Sequence, residues 1–362
     1  MSTKSKIRYI FASSNTSEGF FTFIPKLLEH LKNVYILKGP AGSGKSTLIR
    51  ILGESIYEQG YDVEFWISAI DPVNPDGVYF PQLKIAVVNG SLPWAIDPKY
   101  PGGIGEIINL SEYGNKDLLK NKRFEIIELI DSVENQSKQA YELLKNANQI
   151  KGNIKKPATD HIHAKNLRSL THELINEIIG EQSGEKHYFA SAITADGVIN
   201  YVDEISSFCK KRYVFKGPPG SGKSTVIKEI AQKAKGKGYL IEYYHCGLNV
   251  KSLSMVIIPS LQVALIDAGD IEMAVHPWDT IINMADYLLD YDIDSVNKEQ
   301  SEAIRSYQML IQEAGVELEN ASNSLKKLKK VYAECMDFEL VDKKRDEIKE
   351  EILSHPGIGL KY

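Results

Sequence analysis

The fold is decided by the stretch Gly39-Pro40-Ala41-Gly42-Ser43-Gly44-Lys45-Ser46-Thr47, which recurs as Gly217-Pro218-Pro219-Gly220-Ser221-Gly222-Lys223-Ser224-Thr225. Both stretches fit the phosphate-binding loop (P-loop, Walker A) pattern of a glycine, four residues and then Gly-Lys-Ser. Each follows a short apolar run typical of a strand and leads into a run with helical spacing. The sequence therefore predicts two strand-loop-helix elements that bind phosphate.

The residue types explain why this pattern suits a nucleotide. Glycines let backbone N–H groups turn toward an anion, and the helix N-terminus adds partial positive charge. We expect Lys45 and Lys223 to reach the β- and γ-phosphates, and the hydroxyls of Ser46 and Ser224 to bind Mg²⁺. The predicted nucleotide-binding residues are Gly39, Gly42, Ser43, Gly44, Lys45, Ser46, Thr47, Gly217, Gly220, Ser221, Gly222, Lys223, Ser224 and Thr225.

Length and composition are those of an ordinary globular protein with more than one domain. The chain has 362 residues, of which 25% are charged, and a net charge of −5. This charge gives no overall attraction to nucleic acid or to an anionic membrane. The three cysteines are far apart in the sequence and indicate reduced thiols. The apolar runs predict neither a secretory leader nor a membrane span, so we expect a cytoplasmic protein.

The whole loop region is repeated at an offset of 178 positions, from about Tyr9 to Ser91. Phe11-Ala12-Ser13, for example, returns as Phe189-Ala190-Ser191. We interpret the chain as a tandem duplication whose two copies form an intramolecular pseudo-dimer. The predicted domains are a first P-loop NTPase domain (1–115), a first helical hairpin (116–182), a second P-loop domain (183–293) and a second hairpin (294–362). The boundary between the copies is placed at Gly180 to Gly184.

Each copy is predicted to be α/β, with a parallel sheet flanked by helices, because strand-like and helix-like runs alternate. A helix of about a dozen residues is expected from Phe20 to Leu31 and from Val198 to Cys209. A loop rich in Pro, Asp and Ser is expected before the buried strands at Leu83 to Val88 and Leu261 to Ile266. The ligand crevice should lie at the carboxyl ends of the strands.

Long helical segments follow each predicted sheet. Apolar residues from Ile126 to Ala147 and from Ile304 to Cys335 alternate three and four positions apart, which is typical of a coiled coil. A break is expected at Lys151 to Pro157, with a second helix continuing to Ile178. These hairpins either project as arms or pack over the core.

Acidic residues distinguish the two copies. Val263-Ala264-Leu265-Ile266-Asp267 is a Walker B pattern, in which Asp267 would hold the water shell of Mg²⁺. The first copy has Asn89 at the matching position, and we consider Asp71, Asp76 and Asp97 as substitutes.

Residues just past Asp267 are candidates to orient the attacking water: Asp270, Glu272 and His276. Arg123, Arg212 and Arg305 are candidates for a trans-acting arginine that completes either site. Thr16 and Thr194 either face the crevice or cap a helix.

The repeated blocks Phe-Ala-Ser-x-x-Thr-x-x-Gly and Lys-Gly-Pro-x-Gly-Ser-Gly-Lys-Ser-Thr, with Asp97-Pro98-Lys99-Tyr100-Pro101-Gly102, resemble a family of tandem P-loop ATPase-like proteins from Firmicutes. The resemblance covers nearly the whole chain. It implies an ATPase or nucleotide kinase. Members of that family typically have Asp after the Walker B strand in both halves, so Asn89 is a departure.

Three functions follow as hypotheses. The first is a Mg²⁺-dependent NTPase, with ATP as the expected nucleotide and GTP as the alternative, that signals to a protein partner through its helical arms. In this hypothesis Lys45, Lys223, Asp267 and Asp270 serve catalysis, and Ser46, Ser224 and Asp267 serve the metal. The second is a nucleotide or small-molecule kinase. The third is a scaffold that binds nucleotide and does not hydrolyse it.

Overall fold

The computed structural model describes residues 5–91, 93, 95–178, 184–269, 271–289, 296, 298 and 300–354. It is α/β, and it divides into two compact units, neither of which is a single stretch of chain. The first unit comprises Met1–Ala12, Ile24–Lys138 and Glu317–Tyr362, and the second comprises Ser13–Phe23 and Gln139–Val316. Of the predicted boundary at Gly180 to Gly184, only Gly184 is among the described residues.

Among the described residues, six strands form the sheet of the first unit. They are β1 Ile7–Phe11, β4 Asn33–Lys38, β5 Val63–Ile67, β6 Pro75–Phe80, β7 Ile85–Asn89 and β8 Glu106–Asn109. Their order across the sheet is β1-β5-β6-β7-β4-β8. Strand β4 is parallel to β7 and β8, whereas β6 is antiparallel to both of its neighbours. Helix α2 (Lys45–Glu58) buries Leu48, Ile49 and Leu52 against β5, β6 and β7.

The second unit repeats this arrangement strand for strand. Its strands are β9 Gly184–Phe189, β12 Lys211–Lys216, β13 Leu240–His245, β14 Leu253–Ile258, β15 Val263–Asp267 and β16 Thr280–Asn283. Their order is β9-β13-β14-β15-β12-β16. Helix α7 (Lys223–Gly236) packs on β14 and on helix α5 (Ala164–Ile178). The apolar residues between these elements form the core of the unit.

In both units the strands form a mixed sheet, whereas the sequence predicts a parallel sheet in each. Strands β6 and β14 lie where a loop is expected, and each separates two strands that would otherwise be neighbours. Both strands are buried along almost their whole length. Pro75, Asp76 and Gly77 at the start of β6 are common turn residues, so they conceal this strand in the sequence.

The predicted helices from Phe20 to Leu31 and from Val198 to Cys209 are wrong. Their first three residues belong instead to the second strands of two antiparallel hairpins, β2 Ser13–Thr16 with β3 Gly19–Thr22, and β10 Ser191–Thr194 with β11 Gly197–Asn200. Only short helices follow, α1 Ile24–Leu27 and α6 Val202–Ser206. Gly19 and Gly197 have φ angles of +97° and +95°, and this left-handed conformation favours a tight turn over a helix.

The part of the chain that the structure describes has four further α-helices, α3 Lys116–Asn121, α4 Arg123–Asp160, α8 Ser301–Ala333 and α9 Phe338–Ser354. The predicted break at Lys151 to Pro157 is wrong, because α4 continues through Pro157. This proline lies three residues before the end of the helix, where it removes one backbone hydrogen bond without ending the helix. Ala140, Leu144 and Ala147 of α4 are fully buried, as their spacing predicts. Within the described part of the chain, none of the helices has the length and apolarity needed to cross a bilayer.

Candidate functional site

The two glycine-rich loops join a strand to a helix in the same way. The first loop (Gly39–Thr47) connects β4 to α2, and the second loop (Gly217–Thr225) connects β12 to α7. Gly44 and Gly222 are the N-cap residues of the two helices, with φ angles of 89° and 91°. Because they are glycines, they have no side chain that could cap the helix N-terminus. A helix N-terminus without a side-chain cap leaves backbone N–H groups for an anion.

The lysine of each loop folds back over the loop. The Nζ atom of Lys45 donates to the carbonyl oxygens of Gly39 and Pro40, both at 2.7 Å, and to the hydroxyl of Ser43 at 3.3 Å. Lys223 donates to the Gly217 and Pro218 carbonyls at 2.9 Å. Both lysines are buried. Each ammonium group is therefore held over its loop by neutral backbone acceptors, which are weaker partners for a cation than a charged phosphate oxygen is.

A carboxylate faces the second loop. Strand β15 runs parallel to β12 with Asp267 in register with Phe215, so Asp267 ends at the same edge of the sheet as the loop. Its carboxylate lies 3.8 Å from the Nζ atom of Lys223. Both residues line a cavity of about 230 Å³ together with Ser224 and Ser254. This cavity unites an ammonium group, a hydroxyl and a carboxylate.

The first loop has a different acid beside it. Asn89 ends β7 at the position that matches Asp267, and its Nδ2 atom lies 3.4 Å from the Oδ1 atom of Asp76 on β6. Asp76 is only 3% exposed. Burial raises the pKa of its carboxyl to about 7, although hydrogen bonds from Ser68 and Asn89 act in the opposite direction. Among the described residues, the other carboxylate oxygen, Oδ2, has no hydrogen-bond partner.

The other two acids considered for the first copy are paired with lysines. Asp71 lies 2.5 Å from the Nζ atom of Lys329, and Asp97 lies 2.8 Å from that of Lys38. Burial acts to raise the pKa of Asp71, but the hydrogen bond and the charge of Lys329 outweigh it and lower the pKa. Asp71 and Asp97 therefore each already have a lysine partner.

A helix lies against each loop. A Cβ atom built on Gly42 would lie 2.1 Å from the carbonyl oxygen of Lys329 in α8, and one built on Gly220 would lie 2.1 Å from that of Lys155 in α4. Thr159 also donates from its hydroxyl to the Gly220 carbonyl at 3.2 Å. Only a glycine permits such a close approach at these positions.

Sequence reasoning missed Lys155 and Lys329. In the sequence, α4 lies after the first loop but contacts the second loop. Helix α8 lies after the second loop but contacts the first loop. A signal was present, because Ile154-Lys155-Lys156 recurs as Leu328-Lys329-Lys330. Lys155 and Lys151, one helical turn apart, line the cavity of the second loop.

Lys329 also changes the electrostatics of the first loop. The pKa of Lys45 falls to about 8, mainly because the ammonium group is buried and also because Lys329 repels it. The negative charge of Asp76 acts in the opposite direction. Lys45, Lys329 and Asp76 are therefore within electrostatic reach of one another.

Several other predicted residues have structural partners. The hydroxyls of Thr16 and Thr194 donate to the carbonyls of Gly19 and Gly197, so these threonines hold the turns of the small hairpins. Arg212 is buried and pairs with Asp279 at 3.0 Å. The remaining candidates have varied surroundings: Arg123 lies over the ring of Phe124, Arg305 is exposed, Glu272 accepts from Asn200 through its carbonyl, and the His276 ring stacks on Trp278. Asp270 lies outside the described residues.

Comparison of the chain with protein-family models, with curated proteins and with solved structures finds no match. The resemblance to tandem P-loop ATPase-like proteins therefore rests on the sequence motifs. The described residues contain no group of three or more His, Cys, Asp or Glu side chains that could hold a metal. A Mg²⁺ ion bound with a nucleotide needs fewer protein ligands, since phosphates and water supply most of its coordination.

Proposed function

We propose that this protein is a duplicated P-loop NTPase whose two loops each bind a nucleoside triphosphate with Mg²⁺, ATP being the expected nucleotide and GTP the alternative. The observation that carries the proposal is the second loop. There the ammonium group of Lys223, the hydroxyl of Ser224 and the carboxylate of Asp267 meet in one cavity at a helix N-terminus. This combination fits a triphosphate with its metal.

The residues of the second loop have distinct roles in this proposal. Lys223 exchanges its two carbonyl acceptors for phosphate oxygens, and Ser224 and Asp267 hold the metal and its water. When bound, Mg²⁺ neutralises charge on the phosphates. Lys151 and Lys155 line the same cavity as Lys223 and add positive charge to it. This positive charge stabilises the negative charge that develops on the phosphate oxygens during phosphoryl transfer. Asp270 remains the candidate to orient the attacking water.

The helices give the nucleotide a route to a partner. The backbone of α4 or α8 contacts each loop at a glycine, so a change in loop conformation on binding must be transmitted to the helix. We therefore propose that the helical hairpins report the nucleotide state to a protein partner. The pseudo-dimer of the two repeats belongs to the same proposal.

Steady-state phosphate release tests hydrolysis. Lys223→Ala should lower turnover by roughly 100-fold at the second loop, because a preorganised cation is lost, and Lys45→Ala tests the first loop in the same way. Lys228→Ala is the matched control, since Lys228 is an exposed lysine on the same helix α7. Unchanged turnover in both loop variants would refute the proposal.

The same assay separates the two other hypotheses. A kinase would release ADP only when an acceptor is supplied. A scaffold would bind nucleotide tightly and release negligible phosphate, even with partners present. Hydrolysis without an acceptor, abolished by the lysine substitutions, supports the NTPase.

A further inference from the structure

We propose that the first loop binds Mg²⁺ through the carboxylate of Asp76 on β6, the strand beside β7, whose counterpart in the second unit, β15, carries Asp267. This inference rests on the proposed function. It assigns a metal-binding role in the copy that lacks the Walker B aspartate.

The strand register places Asp76 at the required position. Strands β6 and β7 are antiparallel, with Gly77 opposite Val88, so Asp76 lies beside Asn89 at the end of β7. The distance of 3.4 Å between the Asn89 amide and Asp76 Oδ1 agrees with this placement. A carboxylate on β6 can therefore serve, in the first copy, the location that the end of β15 serves in the second copy.

The two copies carry the same pair of positions with the acid exchanged. The first copy has Asp76 and Asn89, whereas the second has Ser254 and Asp267 at the equivalent places. Each loop thus keeps one carboxylate and one neutral polar residue. If the first copy had only lost an acid at position 89, neither of its two positions would carry a carboxylate.

Burial indicates that Asp76 has a ligand to bind. The side chain is 3% exposed, and in the described structure its Oδ2 atom has no hydrogen-bond partner. A buried carboxylate oxygen without a partner is costly unless a cation or water satisfies it. Of the three acids near the first loop, Asp71 and Asp97 already pair with Lys329 and Lys38. Asp76 is the acid best suited to a divalent cation.

The test measures the Mg²⁺ requirement for nucleotide binding at the first loop. All variants carry Lys223→Ala, which silences the second loop, and bound nucleotide is measured by equilibrium dialysis over a series of Mg²⁺ concentrations. Asp76→Ser should raise the half-saturating Mg²⁺ concentration by about 10- to 100-fold, the usual effect of losing a group that orients a metal shell. Asp97→Asn is the control, because this exposed carboxylate should leave the Mg²⁺ requirement unchanged.

The double variant Asp76→Ser/Asn89→Asp gives the first copy the arrangement of the second copy and decides the question. It should recover the parent's Mg²⁺ requirement to within a few-fold. A parent-like requirement in Asp76→Ser, or no recovery in the double variant, would overturn the inference. If the Lys223→Ala parent itself binds no nucleotide, the proposed function fails at the first loop, which is a separate result.

Discussion

The close contact at Gly42 predicts a large difference between two glycine substitutions. Gly42 and Gly60, both in the first unit, have φ angles of +84° and +90°. An alanine at either position suffers the left-handed strain of about 1–2 kcal/mol. At Gly60 the added Cβ meets nothing within 4 Å, whereas at Gly42 it lies 2.1 Å from the Lys329 carbonyl oxygen. Ordinary contact begins at 3.4 Å, so helix α8 must move by roughly 1.3 Å. Overpacking of this kind costs a further 1–3 kcal/mol or so.

Thermal unfolding and amide hydrogen exchange together measure this difference. Gly42→Ala should lower the melting temperature more than Gly60→Ala, and it should also speed exchange in residues 325–341, where α8 and α9 contact the loop. Gly60→Ala should leave exchange there unchanged. Equal melting temperatures and equal exchange in the two variants would show that the helix is not fixed against the loop, which refutes the reasoning.

Three further predictions concern charge and the second loop. First, burial raises the pKa of Asp76 to about 7 from its ordinary value of 3.8. Without divalent cation, the contribution of this carboxyl to the free energy of unfolding is therefore full below about pH 4 and is lost as the pH rises through 7. Asp76→Asn should therefore gain melting temperature relative to the parent between pH 5 and pH 8 in EDTA, and an unchanged difference would contradict this. Second, Lys329→Met should raise the pKa of Lys45 above about 8, because a repelling charge is removed. Lysine-selective NMR titration measures this pKa, with Lys330→Met as the control. Third, Gly220→Ala should reproduce the Gly42→Ala effect in the second unit, since the Cβ distance to Lys155 is also 2.1 Å, with Gly197→Ala as the unhindered control. Equal exchange in residues 151–167 would count against it.

Local sequence was sufficient for the strands that carry the loops. As predicted, β4 and β12 lie directly before the loops, and β7 and β15 lie within two residues of the strands expected at Leu83 to Val88 and Leu261 to Ile266. These segments are short, apolar and rich in β-branched residues, and they are followed by glycine, proline or a polar residue. Their short length, their flanking residues and their β-branched side chains together favour a buried strand over a helix.

Local sequence failed where tertiary pairing decides the structure. Phe20 to Leu31 has apolar residues at helical spacing, but pairing with β2 and the turn at Gly19 make its first part a strand. Strand β6 begins with residues that usually form turns, and its neighbours β5 and β7 determine its conformation. Propensity is a weak predictor once such partners are available.

The site could be predicted only in part for the same reason. The loop residues form a local pattern, so both loops were identified from the sequence, and Asp267 follows from its strand. The helices at the loops could not be placed, because Lys155 and Lys329 are more than 60 residues from the loops that they contact. Asp76 was one of three equal candidates until its burial and the lysine partners of Asp71 and Asp97 distinguished it.

The stoichiometry of nucleotide binding tests the central claim most directly. Titration calorimetry with ATP or GTP and Mg²⁺ should count two sites in the parent, one in Lys45→Ala, one in Lys223→Ala and none in the double variant. A folded parent that releases no heat with either nucleotide, or a double variant that still binds two, would contradict the account.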